Sequence, residues 1–484
     1  MQKYITAFGK NDIRGIYGED ITEELYYYVG MAFVEWLKTN INQQDIWITV
    51  THDARLHSIP LEESLIKGIT ATGANVIKLG LAPTPIGYYS EVAGIEGYNI
   101  AASAIITASH NPKEYNGLKL TFNKRTLSES QISEVKDIAF KIFENNCINE
   151  NKNGKIVSYN IIPKYIEDMK QRFGSIGKGI KVVVDSANAT GGVVGPKLYN
   201  ELGCEVIELF SEPDGNFPNH HPNPSVESTL DTLKATVLRE NADIGIAYDG
   251  DSDRIGIVDN KAQYLTGDKL LLIYAMDVIA NYKSKNITPT IVSEVKCSQV
   301  LYDTINQNGG NAVMCKTGHG YIKDKMQETG AVLAGEMSGH TFFKDRYYGF
   351  DDAIYAGCRI IEIIAKNKKN NPLFKISDML KPFDEVFSSA EVRYPCPNDL
   401  KKSTLDKIRN IILEDKGIFG AEIKDIITLD GMRIVFDGGF ALIRQSNTEP
   451  VFTLRFEAKT KDECEKFKSV MINSLDKILE YSKK

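Results

Sequence analysis

The chain's 484 residues predict about three or four domains, and 42% hydrophobic with 25% charged residues is ordinary for a soluble globular protein. A net charge of −7 gives a nucleic-acid partner no bulk support, so an anionic substrate must find positive charge in local motifs. Seven scattered cysteines (147, 204, 297, 315, 358, 396 and 464) with no CxxC fit a reducing cytosol, and there is neither a signal-peptide core nor an apolar run near the ~18 residues of a membrane span, so a cytoplasmic protein without a membrane partner is expected.

In chain order, Asp12-Ile13-Arg14-Gly15 comes first, an arginine in a loop ending in glycine. A helix follows, with Asp20 and Glu23 placed as a capping box and Tyr27, Met31, Val34 and Leu37 at helical spacing. Asp45 to Val50 reads as a strand, Ile59 to Thr72 as a helix and Asn75 to Leu79 as a second strand. The apolar run Ala104 to Ile106 then stops at Thr107-Ala108-Ser109-His110-Asn111-Pro112, which puts Ser109 at a strand's end, where active sites of open α/β sheets gather. Lys119 follows at a distance that could bring positive charge back to that point. After a helix from Ser128 to Glu144, an Asn-rich polar run closes the first unit.

The pattern restarts with a helix at 162–173, strands at 180–185 and 204–210, and an irregular Pro/Asn-rich loop at 213–224. The strand 243–247 leads to Asp249-Gly250-Asp251-Ser252-Asp253-Arg254. Three alternating carboxylates after a buried strand suit Mg²⁺. An EF-hand is excluded, because its sixth and twelfth positions would be Arg254 and Asn260. A third unit is expected from Ile255, with a helix at 268–282 and strands at 290–295, 312–315 and 331–333. Asn367 to Asn371 reads as a linker. Strands at 388–392, 431–436, 441–444 and 451–458 before a closing helix at 461–481 predict a smaller α+β domain with an antiparallel sheet. The expected domains are 1–153, 154–254, 255–370 and 371–484.

Two further stretches carry chemistry. Gly335-Glu336-Met337-Ser338-Gly339-His340 offers a carboxylate, a hydroxyl and an imidazole between glycines, groups suited to adjacent sugar hydroxyls, and nearby His319 is an acid/base candidate. Arg444-Gln445-Ser446-Asn447-Thr448-Glu449-Pro450 offers a bidentate phosphate grip with hydroxyls beside it. Neither a Walker loop nor GxGxxG occurs.

These stretches, in this order and over nearly the whole chain, resemble the α-D-phosphohexomutase superfamily, most closely its bacterial phosphomannomutase/phosphoglucomutase group. Val295 to Ser298, Lys316 to His319, Phe342 to Asp352 and the Asp214 to Pro224 segment strengthen the likeness. The resemblance implies three similar mixed α/β domains and a smaller C-terminal α+β domain around a central cleft. It implies a phosphoserine at Ser109, with Asp249, Asp251 and Asp253 holding Mg²⁺ together with that group. Arg14, His110, Lys119, Arg254 and His319 are the further catalytic candidates, with Lys119 or His319 as the proton carrier. Lys296, Glu336, Ser338, His340, Arg444, Ser446, Asn447 and Thr448 are the substrate-binding candidates. Gly320, where Ser is common, and Ala189-Thr190, where Gly is usual, depart from the pattern without touching these roles.

The activity implied is reversible phosphoryl transfer between C1 and C6 of a mannose or glucose phosphate through a hexose 1,6-bisphosphate, by a monomer or weak dimer. Met337 and Asn447 favour this branch over the phosphoglucosamine mutases. That activity is the near alternative, and a catalytically silent phosphosugar-binding protein is the distant one.

Overall fold

The computed structural model describes residues 2–43, 45–145, 153–446 and 449–481, arranged in two compact units, Met1–Thr266 with Ser338–Ile376 and Gly267–Met337 with Ser377–Lys484. Among the described residues no helix is long and apolar enough to cross a membrane.

In the first unit the buried strand Trp47–His52 forms the centre of a sheet. It pairs in parallel with Asn75–Leu81 on one side and with Ile100–Ile106 on the other. Tyr115–Phe122 then runs antiparallel to Ile100–Ile106, and Ile13–Ile16 closes that edge. The helix Glu23–Asn40 begins at Thr22, whose hydroxyl accepts from Leu25 N, with Glu23 and Glu24 favouring the positive end of the helix. The expected capping box is therefore corrected. Asp20 lies two residues before the cap, and its carboxylate instead accepts from Ile16 N at 3.1 Å. Glycines let this helix approach its neighbour Ser58–Ala71, for a Cβ at Gly68 would stand 2.0 Å from Tyr27 O and one at Gly30 2.5 Å from Leu65 O.

A second sheet is built on Lys181–Asp185, parallel to both Glu205–Leu209 and Ile244–Tyr248. The chain then turns back as Ile255–Asp259, antiparallel to Ile244–Tyr248, and Tyr264–Leu265 adds the edge. A domain boundary at Ile255 is thus corrected, since it would separate two paired strands of one sheet. The linker expected at Asn367 to Asn371 is also corrected. The helix Ala353–Asn370 runs through it, with Asp352 as cap, Lys368 and Lys369 in the last turn and Asn371 N bonded back to Asn367 O.

In the second unit Thr290–Glu294 pairs in parallel with Asn311–Cys315 and with Leu333–Gly335. The C-terminal sheet is antiparallel through Asp425–Ile427, Met432–Phe436, Gly439–Gln445 and Val451–Ala458. The single strand expected at 388–392 is two, Phe387–Ser388 and Val392–Pro395, both on Val451–Ala458. The register advances four residues on this side and three on the partner, a bulge at which Ser389 Oγ accepts from Phe456 N at 3.0 Å. Buried Arg433 ties this sheet to the parallel one, donating to Val295 O at 2.5 Å and Cys297 O at 2.8 Å while lying 3.5 Å from the centre of the Phe440 ring.

Gly68→Ala pushes a methyl into backbone that has no room to move, so overpacking should cost about 1–3 kcal/mol. Thermal unfolding should show a transition several degrees below wild type, whereas an unchanged melting curve would contradict the close helix contact.

Candidate active site

The strand Ile100–Ile106 is buried over its second half and ends at Thr107, whose hydroxyl accepts from Ser109 N at 2.8 Å. This bond holds Ser109 at φ 51°, a left-handed conformation uncommon for a residue with a side chain. Ser109 is 2% exposed; its Oγ donates to Asp249 Oδ2 at 2.7 Å and lies 3.3 Å from His110 Nδ1. The strand that returns from the turn pairs Lys119 with Ile105, which brings the lysine back beside the strand end.

The second loop also forms at a strand end. Ile244–Tyr248 is wholly buried, and residues 249–254 reverse the chain, with Arg254 N donating to Asp249 Oδ1 at 3.2 Å and Ser252 at φ 59°. The loop meets the Ser109 turn through backbone, since a Cβ at Gly250 would lie 2.3 Å from Ser109 O. Carboxylate oxygens of Asp249, Asp251 and Asp253 come within 4.8 Å of one another, all buried.

Lys119 Nζ donates to Asp251 Oδ2 at 2.7 Å and Asp253 Oδ2 at 2.6 Å, and Thr84 Oγ1 adds a bond to Asp251 Oδ2 at 2.6 Å. Burial, then Asp253 and Asp251, push Asp249 well above the usual carboxylate range. Burial acts in the same sense on Asp253, but Lys119 and His340 outweigh it and hold that carboxyl below its ordinary value. Burial alone would lower Lys119; Asp251 and Asp253 reverse this and keep the ammonium charged. The buried Oδ1 atoms of Asp251 and Asp253 accept no hydrogen bond. Buried carboxylate oxygens left in this way, all directed to one cluster, fit a hard divalent cation with oxygen ligands.

Three further predicted residues surround this cluster. Arg14 Nη1 donates to Asn111 Oδ1 at 2.9 Å and Ala108 O at 3.2 Å, and its other amino group pairs with Asp12. Arg254 Nε donates to His340 Nε2 at 2.9 Å. His340 Nδ1 is 3.0 Å from Asp351 Oδ2 and 3.7 Å from Asp253 Oδ1; burial lowers this imidazole's pKa, but Asp253 and Asp351 raise it overall. His110 is driven the other way, by burial and then by Arg254 and Arg14, and so stays neutral. The first unit therefore gathers Ser109, His110, Lys119, the three aspartates, Arg14, Arg254 and His340, while Ser338 is half-buried on the turn before His340.

The second unit gathers a different set. Lys296 Nζ lies 3.3 Å from Glu391 Oε2 and 3.6 Å from Glu294 Oε1, and these carboxylates outweigh burial to raise its pKa. Glu294 also accepts from Thr317 Oγ1 and, at 3.0 Å, from Met337 N, which fixes the backbone next to buried Glu336. Arg444 Nε donates to Asp430 Oδ2 at 3.0 Å, and the same oxygen accepts from Thr317 N at 3.0 Å. His319 is the first residue of the helix His319–Thr329, after Gly318 at φ 130°. Ser446 Oγ accepts from Glu449 N at 3.2 Å, and Lys401 Nζ donates to both Ser446 O and Glu449 O. Asn447 and Thr448, expected in the phosphate grip, lie outside the described residues.

Sequence reasoning missed Arg55, Thr84, Asp351, Glu294, Asp430 and Lys401. Three of them had a signal: Glu294 ends a buried apolar run, Asp53-Ala54-Arg55 follows another, and Asp351 lies in the Phe342 to Asp352 stretch.

Four family models match in succession: the phosphoglucomutase/phosphomannomutase alpha/beta/alpha domains I, II and III over residues 6–146, 163–263 and 266–383, and the C-terminal domain over 391–474. The phosphomannomutase/phosphoglucomutase of Pseudomonas aeruginosa PAO1 is 38% identical over 470 residues, 97% of this chain and 95% of that protein. The chain belongs to the phosphoglucomutase/phosphomannomutase family. A phosphoglucomutase of Neisseria gonorrhoeae is 36% identical over 96% of this chain and 95% of its own length. The crystal structure of a phosphoglucomutase/phosphomannomutase family protein from Burkholderia thailandensis superposes with a TM-score of 0.84 at 34% identity, covering 97% of each chain. Domain II of the family ends at residue 263, which agrees with the strand Ile255–Asp259 lying in the second sheet.

A divalent cation (Mg²⁺ or Mn²⁺) added to the metal-free protein should raise its melting temperature, and Asp251→Asn should remove most of that rise. An equal rise in the variant would place the cation elsewhere.

Proposed function

We propose that this protein interconverts the 1- and 6-phosphates of mannose and glucose, with Ser109 as the phosphoryl carrier. The observation that supports this reading most strongly is the 2.7 Å bond from Ser109 Oγ into the buried three-carboxylate cluster. A hydroxyl so placed can carry a phosphoryl group beside a cation and a buried lysine. The names of the full-length relatives support the same activity.

In the first half-reaction the bond between phosphorus and Ser109 Oγ breaks as a bond forms to the free hydroxyl of the hexose monophosphate. The sugar hydroxyl loses its proton and Ser109 Oγ gains one, leaving a hexose 1,6-bisphosphate. The intermediate turns over, its other phosphate returns to Ser109, and the isomeric monophosphate leaves. Phosphoryl transfer needs positioning and charge neutralisation more than covalent help. Mg²⁺ held by Asp249, Asp251, Asp253 and the phosphoserine would act as a Lewis acid on the moving group.

The protein's own residues do the rest. Arg254 and Lys119 offset charge on the phosphoryl group. Lys119 enters protonated, because two carboxylates share its ammonium, so in this state it donates hydrogen bonds; His319 is the other candidate for moving the hydroxyl proton. Arg14 fixes Asn111 and the turn behind Ser109. We assign Arg444 and Ser446, with Asn447 and Thr448, to the phosphate that is not reacting, Glu336 and Ser338 to the sugar hydroxyls, and Lys296 and His340 to substrate binding.

Ser109→Ala should lower turnover with mannose 1-phosphate and glucose 1-phosphate by roughly a thousandfold or more. Near-normal activity would end the scheme. Arg444→Ala should raise KM about tenfold or more through loss of charge-assisted hydrogen bonds. An unchanged KM would remove that residue from the phosphate grip.

A further inference from the structure

Behind the Ser109 turn lies a buried cation that the transfer scheme does not use. Arg55 follows the strand Trp47–His52 and is 2% exposed. Its Nε donates to Asp53 Oδ2 at 3.0 Å, and Asp53 Oδ1 accepts from Ser58 Oγ at 2.6 Å, so the carboxylate is itself held in place. Nη2 donates to Ser109 O at 2.9 Å and Asn111 O at 2.7 Å; Nη1 donates to Pro112 O at 2.5 Å and Tyr115 O at 3.0 Å. All five N–H groups of the guanidinium are thereby used. One rigid planar group spans the turn from Ser109 to the start of the returning strand.

A second segment seals this arrangement from the other side. The Phe217 ring centre is 5.4 Å from Arg55 Cζ, and a Cβ at Gly215 would stand 2.5 Å from Ala54 O and 2.9 Å from Arg55 Cα. The irregular Pro/Asn-rich loop thus packs on the arginine and keeps it from water, which strengthens its hydrogen bonds.

We propose that Arg55 is a positioning residue for phosphoryl transfer, holding Ser109 in its left-handed conformation so that Oγ occupies one point in both the free and the phosphorylated state. The proposal rests on the reading of Ser109 as phosphoryl carrier. The need follows from the reaction. Ser109 alternates between a neutral hydroxyl and a group of roughly −2 charge, and a turn tied only by its own backbone would move with each change. Four carbonyl oxygens fixed on a buried cation cannot swing towards the phosphoryl group or away from it.

Arg55→Lys keeps a positive charge beside Asp53, but an ammonium has three donors on one atom and cannot span four carbonyls. With kcat expressed per phosphorylatable Ser109, Arg55→Lys should lose roughly 10–100-fold in kcat with KM within about twofold of wild type. Phosphorylation of Ser109 by glucose 1,6-bisphosphate, followed by intact mass, should slow in parallel. Phe217→Leu leaves the arginine in place but loosens its cover, and should lower kcat in the same sense by a smaller factor. If the lysine variant does not fold, Phe217→Leu decides. A purely structural role would lower melting temperature and the active fraction but leave kcat per phosphorylatable serine unchanged; that result, or a change confined to KM, overturns the proposal. Wild type is assayed alongside: if it turns over hexose phosphates while the variants match it, only this inference fails, and if wild type itself carries no phosphate and no activity, the reading of Ser109 fails first.

Discussion

Three buried carboxylates within 4.8 Å of one another set the terms for the site. At that spacing each like-charged pair repels by about 3.5 kcal/mol or more with an effective dielectric near 20. Lys119, bonded to two of them, and Arg254, at 4.0 Å from Asp249 and Asp253, supply two positive charges against three negative ones. Burial and the other two carboxylates accordingly push Asp249 well above the usual carboxylate range. A phosphoserine would add roughly two further negative charges at the same point. Charge balance then calls for a divalent cation, and the Oδ1 atoms of Asp251 and Asp253, which accept no hydrogen bond, are where it would find ligands.

That demand explains why backbone, not only side chains, is specialised here. The carboxylate loop can reach the serine only because residue 250 is glycine, and the serine faces the loop with a left-handed φ. Both are costs in local stability. They are offset by buried hydrogen bonds on the far side of the turn: Thr107 to Ser109 N, Arg55 to four carbonyls and Arg14 to Ala108 O and Asn111. The same device recurs in the second unit, where buried Lys401 holds the carbonyls of Ser446 and Glu449 and Arg433 holds the carbonyls on either side of Lys296.

Much of this was legible in the sequence because the functional loops sit where buried apolar strands stop. The runs ending at Ile106 and Tyr248 announce the turns that carry Ser109 and Asp249. The strand Tyr115–Phe122 was not legible as a strand, because Asn116, Gly117 and Lys119 break its apolar pattern; those residues are buried instead of exposed. The helix Thr84–Ala93 was hidden by Pro85 and Gly87; the helix Ala353–Asn370 was not read at all, and the lysines and asparagines of its last turn gave the appearance of a linker. Arg55 left little trace because four of its five bonds go to backbone carbonyls, which every residue has.

The most direct measurement is the intact mass of the purified protein, mapped to residue, before and after exposure to mannose 6-phosphate and glucose 6-phosphate. One phosphate on Ser109, lost on incubation with either sugar, is the expected result. A protein that takes no phosphate at Ser109, even after glucose 1,6-bisphosphate and Mg²⁺, would contradict the assignment of Ser109 as phosphoryl carrier.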